Sequence, residues 1–266
     1  MISAYIVWFA VFSFAGWLFE CVYGALTTRH WENRGFLFGP LCPIYGVGAV
    51  AALVLCSLPG VDEAAMPLWL VFLVCMAGSA VLEYVVSYVF EKLFGAVWWD
   101  YSNLPLNVNG RICLPASLLF GVAGVFIVRF LVPFTAGVDA AVPPLAMEVA
   151  ALVIVAVVSV DATLTVAALS DLMDRVNRME EVVNERMEAL VTAASETGQA
   201  LPRLFPNRES MNAEYLKLAA SDLTSSQRAL LRKIRRVTSD KTGQALDRLR
   251  EARAIMDLAV RKKGGR

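Results

Sequence analysis

Five long apolar segments dominate the sequence and constrain its fold more than any other feature. Each is about 20 residues or longer, which is the length that a helix needs to cross the hydrocarbon core of a bilayer. The chain of 266 residues is 58% hydrophobic and only 18% charged, a balance typical of membrane proteins. The sequence therefore predicts an all-α, polytopic membrane protein whose five transmembrane helices lie near residues 3–26, 38–58, 67–91, 113–132 and 145–168.

The basic residues are concentrated beyond the last apolar segment. Only five of the 24 Lys and Arg residues precede residue 169. The chain is thus expected to divide into a transmembrane bundle, residues 1–168, and a cytoplasmic helical domain, residues 169–266. Because loops rich in Lys and Arg stay in the cytoplasm, the cations near 27–37 and 92–112 and those of the tail predict an external N-terminus and a cytoplasmic C-terminus.

The first four apolar segments read as one helix pair used twice. The stretches GFLFGPLCPIYG, residues 35–46, and GRICLPASLLFG, residues 110–121, share Gly, Pro, an aromatic residue and Gly at equal spacing. Each follows a span that carries one glutamate, Glu20 or Glu83, and the second copy has a loop 12 residues longer. Repeats of the same orientation predict a duplicated two-helix unit with a pseudo-two-fold axis along the membrane normal.

Three carboxylates from three spans fall at one predicted depth. Glu20, Glu83 and Asp161 each lie 16 or 17 residues past the outer start of a span that runs inward, which is roughly 24–26 Å along a helix. A carboxylate at this depth needs a partner, and Arg34 and Arg111 at the cytoplasmic mouths of spans two and four are the nearest candidates. The alternative is that these acids lie at the interface, in salt bridges that only fix helix ends.

The stretch NRGFLFGPLCPIYG, residues 33–46, makes a regular helix start unlikely, since three glycines and two prolines interrupt it. Irregular backbone at membrane depth must be covered by protein or water, and its free N–H groups favour an anion. These features predict a substrate-binding pocket open to the cytoplasm. Its candidate lining residues are polar and come from all three carboxylate-bearing spans and both basic loops: Glu20, Asn33, Arg34, Glu83, Asp100, Tyr101, Asn107, Asn109, Arg111 and Asp161.

Other sites have little support in the sequence. His30 is the only histidine and the five cysteines form no CxxC pair, so neither a metal site nor a cofactor is predicted. The tail is expected to continue span five as a helix over 169–192, followed by helices near 209–236 and 243–262. The basic amphipathic stretch 226–237 is expected to lie on anionic lipid or to be a solvated face. Nucleic-acid binding is not predicted, because no aromatic residues interleave the arginines.

Four motifs resemble one family of bacterial integral-membrane proteins. GWLFE (16–20), NRGFLFGPLCPIYG (33–46), WDYS (99–102) and NVNGRICL (107–114) are similar to the family described as putative ABC-transporter type IV, over roughly residues 5–125. The resemblance implies a permease-like protein of the bacterial inner membrane. The chain has no GxxxxGK[ST] loop, so a permease of this kind would require a separate ATPase subunit, and with only five spans it would be expected to form a homodimer.

Three functions therefore remain open at this point. The first is a transport component with Glu20, Glu83, Arg34 and Arg111 as a polar gate. The second is an intramembrane enzyme acting on a lipid or lipid-linked headgroup, with carboxylates for acid–base chemistry and arginines for a phosphate. The third is a non-catalytic membrane scaffold whose tail binds a partner. The sequence does not decide between enzyme and non-enzyme.

Overall fold

A computed structural model describes residues 2–29, 31–62, 64–197, 223–234 and 236–237. Within these ranges the protein is mostly helical. The chain divides into two compact units, one formed by 1–93 with 98–166 and the other by 94–97 with 167–266. The elements, in chain order, are α1 Ile2–Thr28, α2 Pro43–Cys56, α3 Leu68–Phe94, β1 Ala96–Val97, α4 Leu114–Phe126, a π-helical turn Ile127–Leu131, α5 Val132–Ala141, α6 Pro144–Thr197, α7 Ser225–Lys233 and β2 Arg236–Val237.

Four helices of the described chain are long and apolar enough to cross a membrane: Ile2–Thr27, Leu68–Phe94, Leu114–Ala141 and Pro144–Arg175. They correspond to the first, third, fourth and fifth predicted spans. The second predicted span, 38–58, contains only the 14-residue helix α2, which begins at Pro43 because the glycines and Pro40 before it leave the chain irregular.

The fourth span is longer than the sequence indicated. Residues from Pro133 onward were expected to form a loop, but the helix continues through the π-helical turn and α5 to Ala141. Pro133 lies in the first turn of α5, where the missing proline N–H is least disruptive. The π turn also holds Arg129, whose guanidinium donates to the backbone carbonyl of Met66. The prediction of a loop here was wrong.

Helices α1 and α2 pack antiparallel. Trp8 and Phe12 of α1 form a buried cluster with Ala49 and Leu53 of α2 and with Val132. A Cβ on Gly46 would lie 2.5 Å from the Phe9 carbonyl oxygen, so glycine at this position allows the two backbones to approach closely. Because α2 is short, it covers only the first part of α1.

The irregular segment 33–42 lies beside the remainder of α1. Trp17 Nε1 donates to Asn33 Oδ1 at 2.9 Å, and a Cβ on Gly24 would lie 2.7 Å from Arg34 Cδ. Cys42 N donates back to the Ser13 carbonyl at 2.9 Å. Segment 33–42 and α2 together therefore follow α1 from its C-terminal turns back to its N-terminal half.

The second unit has a small core of its own. Leu169 and Leu172 of α6 are buried, as are Leu230 and Leu231 of α7. A capping box formed by Thr224 and Gln227 begins α7, and Gln227 also donates to Asp171. The continuation of α6 past residue 168 agrees with the predicted helix over 169–192. Helix α7 falls inside the predicted helix 209–236, the rest of which lies mainly outside the described residues, as does all of 243–262.

The expectation of a purely helical chain needs one correction. Ala96 pairs with Val237 and Val97 with Arg236 in a short antiparallel ladder between β1 and β2. Two residues per strand are too few to give an alternating pattern in the sequence, and the two strands are separated by most of the chain. The amphipathic stretch 226–237 therefore ends in a strand, and its apolar residues Leu230, Leu231 and Ile234 are buried.

Candidate functional site

Glu20, near the middle of the second half of α1, has two partners. Tyr45 Oη in α2 donates to Glu20 Oε1 at 2.6 Å, and Arg34 Nε lies 3.8 Å from Glu20 Oε2. Both charged side chains are partly shielded, with 29% of each exposed. The absence of a side chain at Gly24 gives Arg34 its place against α1, and its guanidinium also lies 6.0 Å from the Tyr23 ring centroid. The predicted pairing of Glu20 with Arg34 is thus present in the structure.

Glu83, at the equivalent point of α3, is more deeply buried and less well satisfied. Only 5% of the residue is exposed. Tyr101 Oη donates to Glu83 Oε1 in a long hydrogen bond of 3.4 Å, whereas the buried Oε2 has no hydrogen-bond partner among the described residues. Glu20 is near enough to interact electrostatically with Glu83 and with Tyr101. The two glutamates and their two tyrosines therefore form one polar cluster inside the first unit.

The loop 98–113 positions Tyr101. Tyr101 N donates to the Gly110 carbonyl at 2.8 Å, and Asn107 closes the loop by donating to the carbonyls of Ser102 and Leu104. Asp100 accepts from Ser102 N at 2.9 Å. Burial, followed by the charge of Glu83, raises the pKa of Tyr101, so this phenol keeps its proton and remains a donor. Asp100 and Asn107, both predicted to line the pocket, here fold the loop that carries Tyr101.

Arg111, the second arginine predicted to partner the buried acids, pairs with a glutamate outside that set. Its Nη2 lies 2.6 Å from Glu91 Oε2, near the C-terminus of α3, and its guanidinium lies 5.4 Å and 5.3 Å from the ring centroids of Tyr84 and Tyr88. Asn109 Nδ2 donates to Tyr84 Oη at 3.1 Å. Glu91 follows Glu83 by two helical turns on the same side of α3, which places Arg111 nearer the helix end than the predicted gate.

Asp161 binds backbone, not arginine. Its Oδ1 accepts from Phe38 N at 3.1 Å and its Oδ2 accepts from Gly39 N at 2.9 Å, while Thr165 Oγ1 donates to Oδ1 at 3.3 Å. The free N–H groups expected in segment 33–42 do attract an anion, but that anion is a side chain of α6. Asn33 also belongs to this segment, since its Nδ2 donates to the Phe38 carbonyl at 2.8 Å.

The ten predicted site residues thus fall into three groups. Glu20, Arg34, Glu83 and Tyr101 belong to one cluster; Arg111 and Asn109 belong to a second, around Tyr84; and Asn33, Asp100, Asn107 and Asp161 hold the two irregular segments in place. The last group was predicted to line the pocket, and its hydrogen bonds described above join it to backbone groups and neighbouring side chains.

Sequence reasoning missed two residues that complete these groups. Tyr45 was read only as the aromatic position of the repeat, although a hydroxyl there is the feature that distinguishes it from Phe120 in the second copy. Glu91 was taken to end the third span, although its spacing of eight residues from Glu83 places both on one helix face. Those two signals could have identified them.

We define the glutamate–tyrosine cluster as Glu20, Arg34, Tyr45, Glu83 and Tyr101. Across the described part of the chain, no three His, Cys, Asp or Glu side chains are placed to hold a metal ion together. Its formal charges are two carboxylates and one guanidinium, and each carboxylate receives one phenolic hydrogen bond.

Comparison with known proteins gives one match. The family model described as "Putative ABC-transporter type IV" matches residues 7–166, which extends the resemblance beyond residue 125 and through the first part of α6. Neither the search of curated proteins nor that of solved structures found a matching protein. Since the family model covers more than half of the chain and includes the whole glutamate–tyrosine cluster, the chain belongs to the family described as "Putative ABC-transporter type IV".

Proposed function

We propose that this chain is the membrane-embedded, permease-like component of an ABC-type transporter and that the glutamate–tyrosine cluster lies on the path of the cargo. The observation that carries the proposal is the pair of glutamates on α1 and α3, two helices that are long and apolar enough to cross a membrane. Burying such groups is costly unless they are used or paired. Glu83 is only 5% exposed, and its Oε2 has no hydrogen-bond partner among the residues that the structure describes. Intramembrane carboxylates of this kind are typical of transport pathways.

The proposal includes five membrane crossings. Helix α2 is about 21 Å long at 1.5 Å per residue, which is too short to cross alone. Segment 33–42 supplies the missing length beside α1, and its backbone donors at Phe38 and Gly39 are satisfied by Asp161, the condition for irregular backbone at this depth. With α2 counted as a crossing, the basic loops and the helical tail lie in the cytoplasm and the N-terminus lies outside a bacterial inner membrane.

The duplicated unit is also part of the proposal, and matched contacts support it. A Cβ on Gly46 would meet Phe9, and a Cβ on Gly121 would meet Phe72 Cε2 at 2.7 Å. Phe9 and Phe72 each precede their glutamate, Glu20 or Glu83, by eleven residues. The aromatic residues of the two copies, Tyr45 and Phe120, lie with ring centroids 5.9 Å apart. A transport site between two related halves is a common arrangement.

The arginines favour transport over chemistry on a lipid headgroup. A phosphate site would require guanidinium groups free to bind a second anion, whereas Arg34 lies beside Glu20 and Arg111 is 2.6 Å from Glu91. A transport component does not need to release these ion pairs to hold its cargo at the glutamates. We therefore favour the transport component over the two other functions, an enzyme acting on a lipid headgroup and a non-catalytic scaffold.

The partners in this proposal are the bilayer, a second copy of the chain and a separate ATPase subunit. The chain contains no Walker loop, so ATP hydrolysis must come from another protein that docks on the cytoplasmic side. We assign that docking to the helical domain 169–266. The pocket itself is assigned to the cytoplasmic third of the bundle, with the glutamate–tyrosine cluster as its innermost part.

Capture and ATPase assays test this function. The tagged full-length chain is purified from bacterial membranes in mild detergent, bound proteins are identified by mass spectrometry, and ATP hydrolysis of the complex is measured in nanodiscs. We expect a Walker-loop ATPase to copurify and its activity to fall when Glu20→Gln is introduced, whereas Glu148→Gln, an exposed glutamate on α6, leaves it unchanged. A monomeric chain without any associated ATPase would rule the proposal out.

A further inference from the structure

The two copies of the helix pair differ in how their glutamates are neutralised. Glu20 has Arg34 at 3.8 Å. Aligned on Gly35 and Gly110, the position of Arg34 in the second copy is occupied by Asn109, whose Nδ2 donates to Tyr84 Oη instead. The second copy does contain an arginine, Arg111, but its Nη2 forms an ion pair with Glu91 Oε2 at 2.6 Å. No basic side chain of the described chain is therefore paired with Glu83.

Glu83 is nevertheless the more deeply buried of the two. Only 5% of the residue is exposed, and its Oε2 accepts no hydrogen bond from any described residue. The groups that face it are Tyr101, which donates to the other oxygen at 3.4 Å, and Glu20, which repels it. A carboxylate buried in these surroundings needs a positively charged partner to offset its loss of hydration.

We propose that the glutamate–tyrosine cluster binds a single monovalent cation, with Glu83 Oε2 as its principal ligand and Glu20 as the second charge that attracts it. This inference rests on the proposed transport function, for which it names the class of cargo or coupling ion. The two carboxylates and the Arg34 guanidinium have a net charge of −1, which one bound monovalent cation neutralises. Two carboxylates without a third His, Cys, Asp or Glu in the described chain do not suit a divalent metal ion, which usually takes more protein ligands.

The aromatic residues next to the cluster fit the same ligand class. The rings of Phe19 and Phe120 lie 6.4 Å and 5.9 Å from the Tyr45 ring centroid, and aromatic faces attract cations, especially alkylated ammonium groups. An ammonium group offers N–H donors to Glu83 Oε2, whereas an alkali-metal ion offers charge alone. Both kinds of ligand have one positive charge, and titration with each of them distinguishes an ammonium group from an alkali-metal ion.

Calorimetric titration of the full-length chain in nanodiscs tests the proposal. The probes are the chlorides of methylammonium, tetramethylammonium, sodium and potassium, added to protein kept in N-methyl-D-glucamine buffer. We expect at least one probe to bind with saturation at one site per chain. Glu83→Gln is expected to weaken that binding about tenfold or more, because a charged hydrogen bond or ion contact is lost. The matched variant Glu148→Gln is expected to bind as the unaltered chain does.

The identity of the saturating probe then tells which source supplies the charge. Binding of methylammonium but not sodium or potassium identifies an organic amine, and the reverse identifies an alkali-metal ion; both support the proposal. No saturable binding of any probe, or equal binding by Glu83→Gln, overturns it. If Glu83→Gln does not fold, as judged by its thermal transition, Glu20→Gln decides instead, and undiminished binding by that variant overturns the proposal.

The outcome is separable from that of the proposed function. Cation binding that depends on Glu83, in a chain that captures no ATPase, would retain this site and reject the ABC-type transporter. A captured ATPase whose membrane partner binds none of the four cations would retain the transporter and reject the cation site.

Discussion

Asp161 shows how a single side chain can hold an irregular segment of backbone in place. Its two oxygens accept from Phe38 N and Gly39 N at 3.1 and 2.9 Å. Phe38 N also donates to Thr165 Oγ1 at 3.2 Å, so losing the carboxylate would chiefly affect Gly39 N, and an unsatisfied amide costs about 1–3 kcal/mol. The contact between α6 and segment 33–42 therefore stabilises the irregular backbone that precedes α2.

Replacing this carboxylate is expected to destabilise the protein. In Asp161→Asn one oxygen is retained, but the amide NH2 faces a backbone donor and the charge is lost, so we expect a loss of about 1–3 kcal/mol. Thermal unfolding in detergent, followed by circular dichroism, measures the change. The matched control is Asp174→Asn, an exposed residue farther along α6. If the two variants unfold at the same temperature, the hydrogen bonds of Asp161 to segment 33–42 contribute little to stability.

Tyr45 contributes to the site through its hydroxyl. Its hydrogen bond to Glu20 Oε1 is 2.6 Å long, and the ring is held against α1, where a Cβ on Gly16 would overlap it. Tyr45→Phe keeps the ring and removes the donor, so Glu20 would rely on Arg34 alone. We expect a loss of about 1.5–3 kcal/mol, as for hydrogen bonds to charged groups.

The measurement for Tyr45→Phe is again thermal unfolding, and Tyr5→Phe serves as its control. Tyr5 Oη makes only a 3.5 Å hydrogen bond to Ser57 at an exposed position, so its loss should shift the transition little. A Tyr45→Phe chain as stable as Tyr5→Phe would contradict a short, strong bond to Glu20.

At the scale of helices, close packing at particular glycines holds α1 against α2 and α3 against α4. A Cβ on Gly46 would lie 2.5 Å from the Phe9 carbonyl oxygen, and one on Gly121 would lie 2.7 Å from Phe72 Cε2. Gly78, also in a helix, has nothing within 4 Å of the added carbon. The neighbouring helix thus leaves little room for a side chain at Gly46 and Gly121, whereas the packing around Gly78 leaves space for one.

Alanine substitutions should separate these cases. Gly46→Ala and Gly121→Ala are each expected to destabilise by about 1–3 kcal/mol, because the added carbon forces the helices apart. Gly78→Ala should be neutral or slightly stabilising, since alanine is the better helix former. Unfolding in increasing SDS measures all three. Similar stability of the three chains would contradict the close approach described here.

Elements and site differ in how far local sequence predicts them. Apolar length was sufficient for α1, α3 and α6, because a helix in lipid satisfies its own backbone. The glycines and prolines of 33–46 predicted an irregular segment before α2, but they did not identify the acceptor of its amides, since Asp161 lies more than a hundred positions away. The sequence predicted Arg34 and Arg111 as partners of the buried acids. Arg34 does lie beside Glu20, but Arg111 pairs with Glu91, which was not among those acids.

For the whole molecule, the number of crossings decides the topology. If segment 33–42 and α2 cross the membrane together, the loops after α1 and α2 lie on opposite sides. If α2 only enters and returns, they lie on the same side and both termini share one compartment. Four exposed positions report on the successive loops: Glu32, Pro59, Asn103 and Pro143.

Single cysteines at these positions provide the measurement. We expect Pro59→Cys and Pro143→Cys to react with a membrane-impermeant maleimide in intact cells, and Glu32→Cys and Asn103→Cys to react only after permeabilisation. The unaltered chain, with its five cysteines buried or partly buried, gives the background labelling. Because Glu32 and Pro59 flank α2, labelling of both from one side would reduce the crossings to four and would place the loop with Arg29 and Arg34 in the same compartment as the one that lacks basic residues.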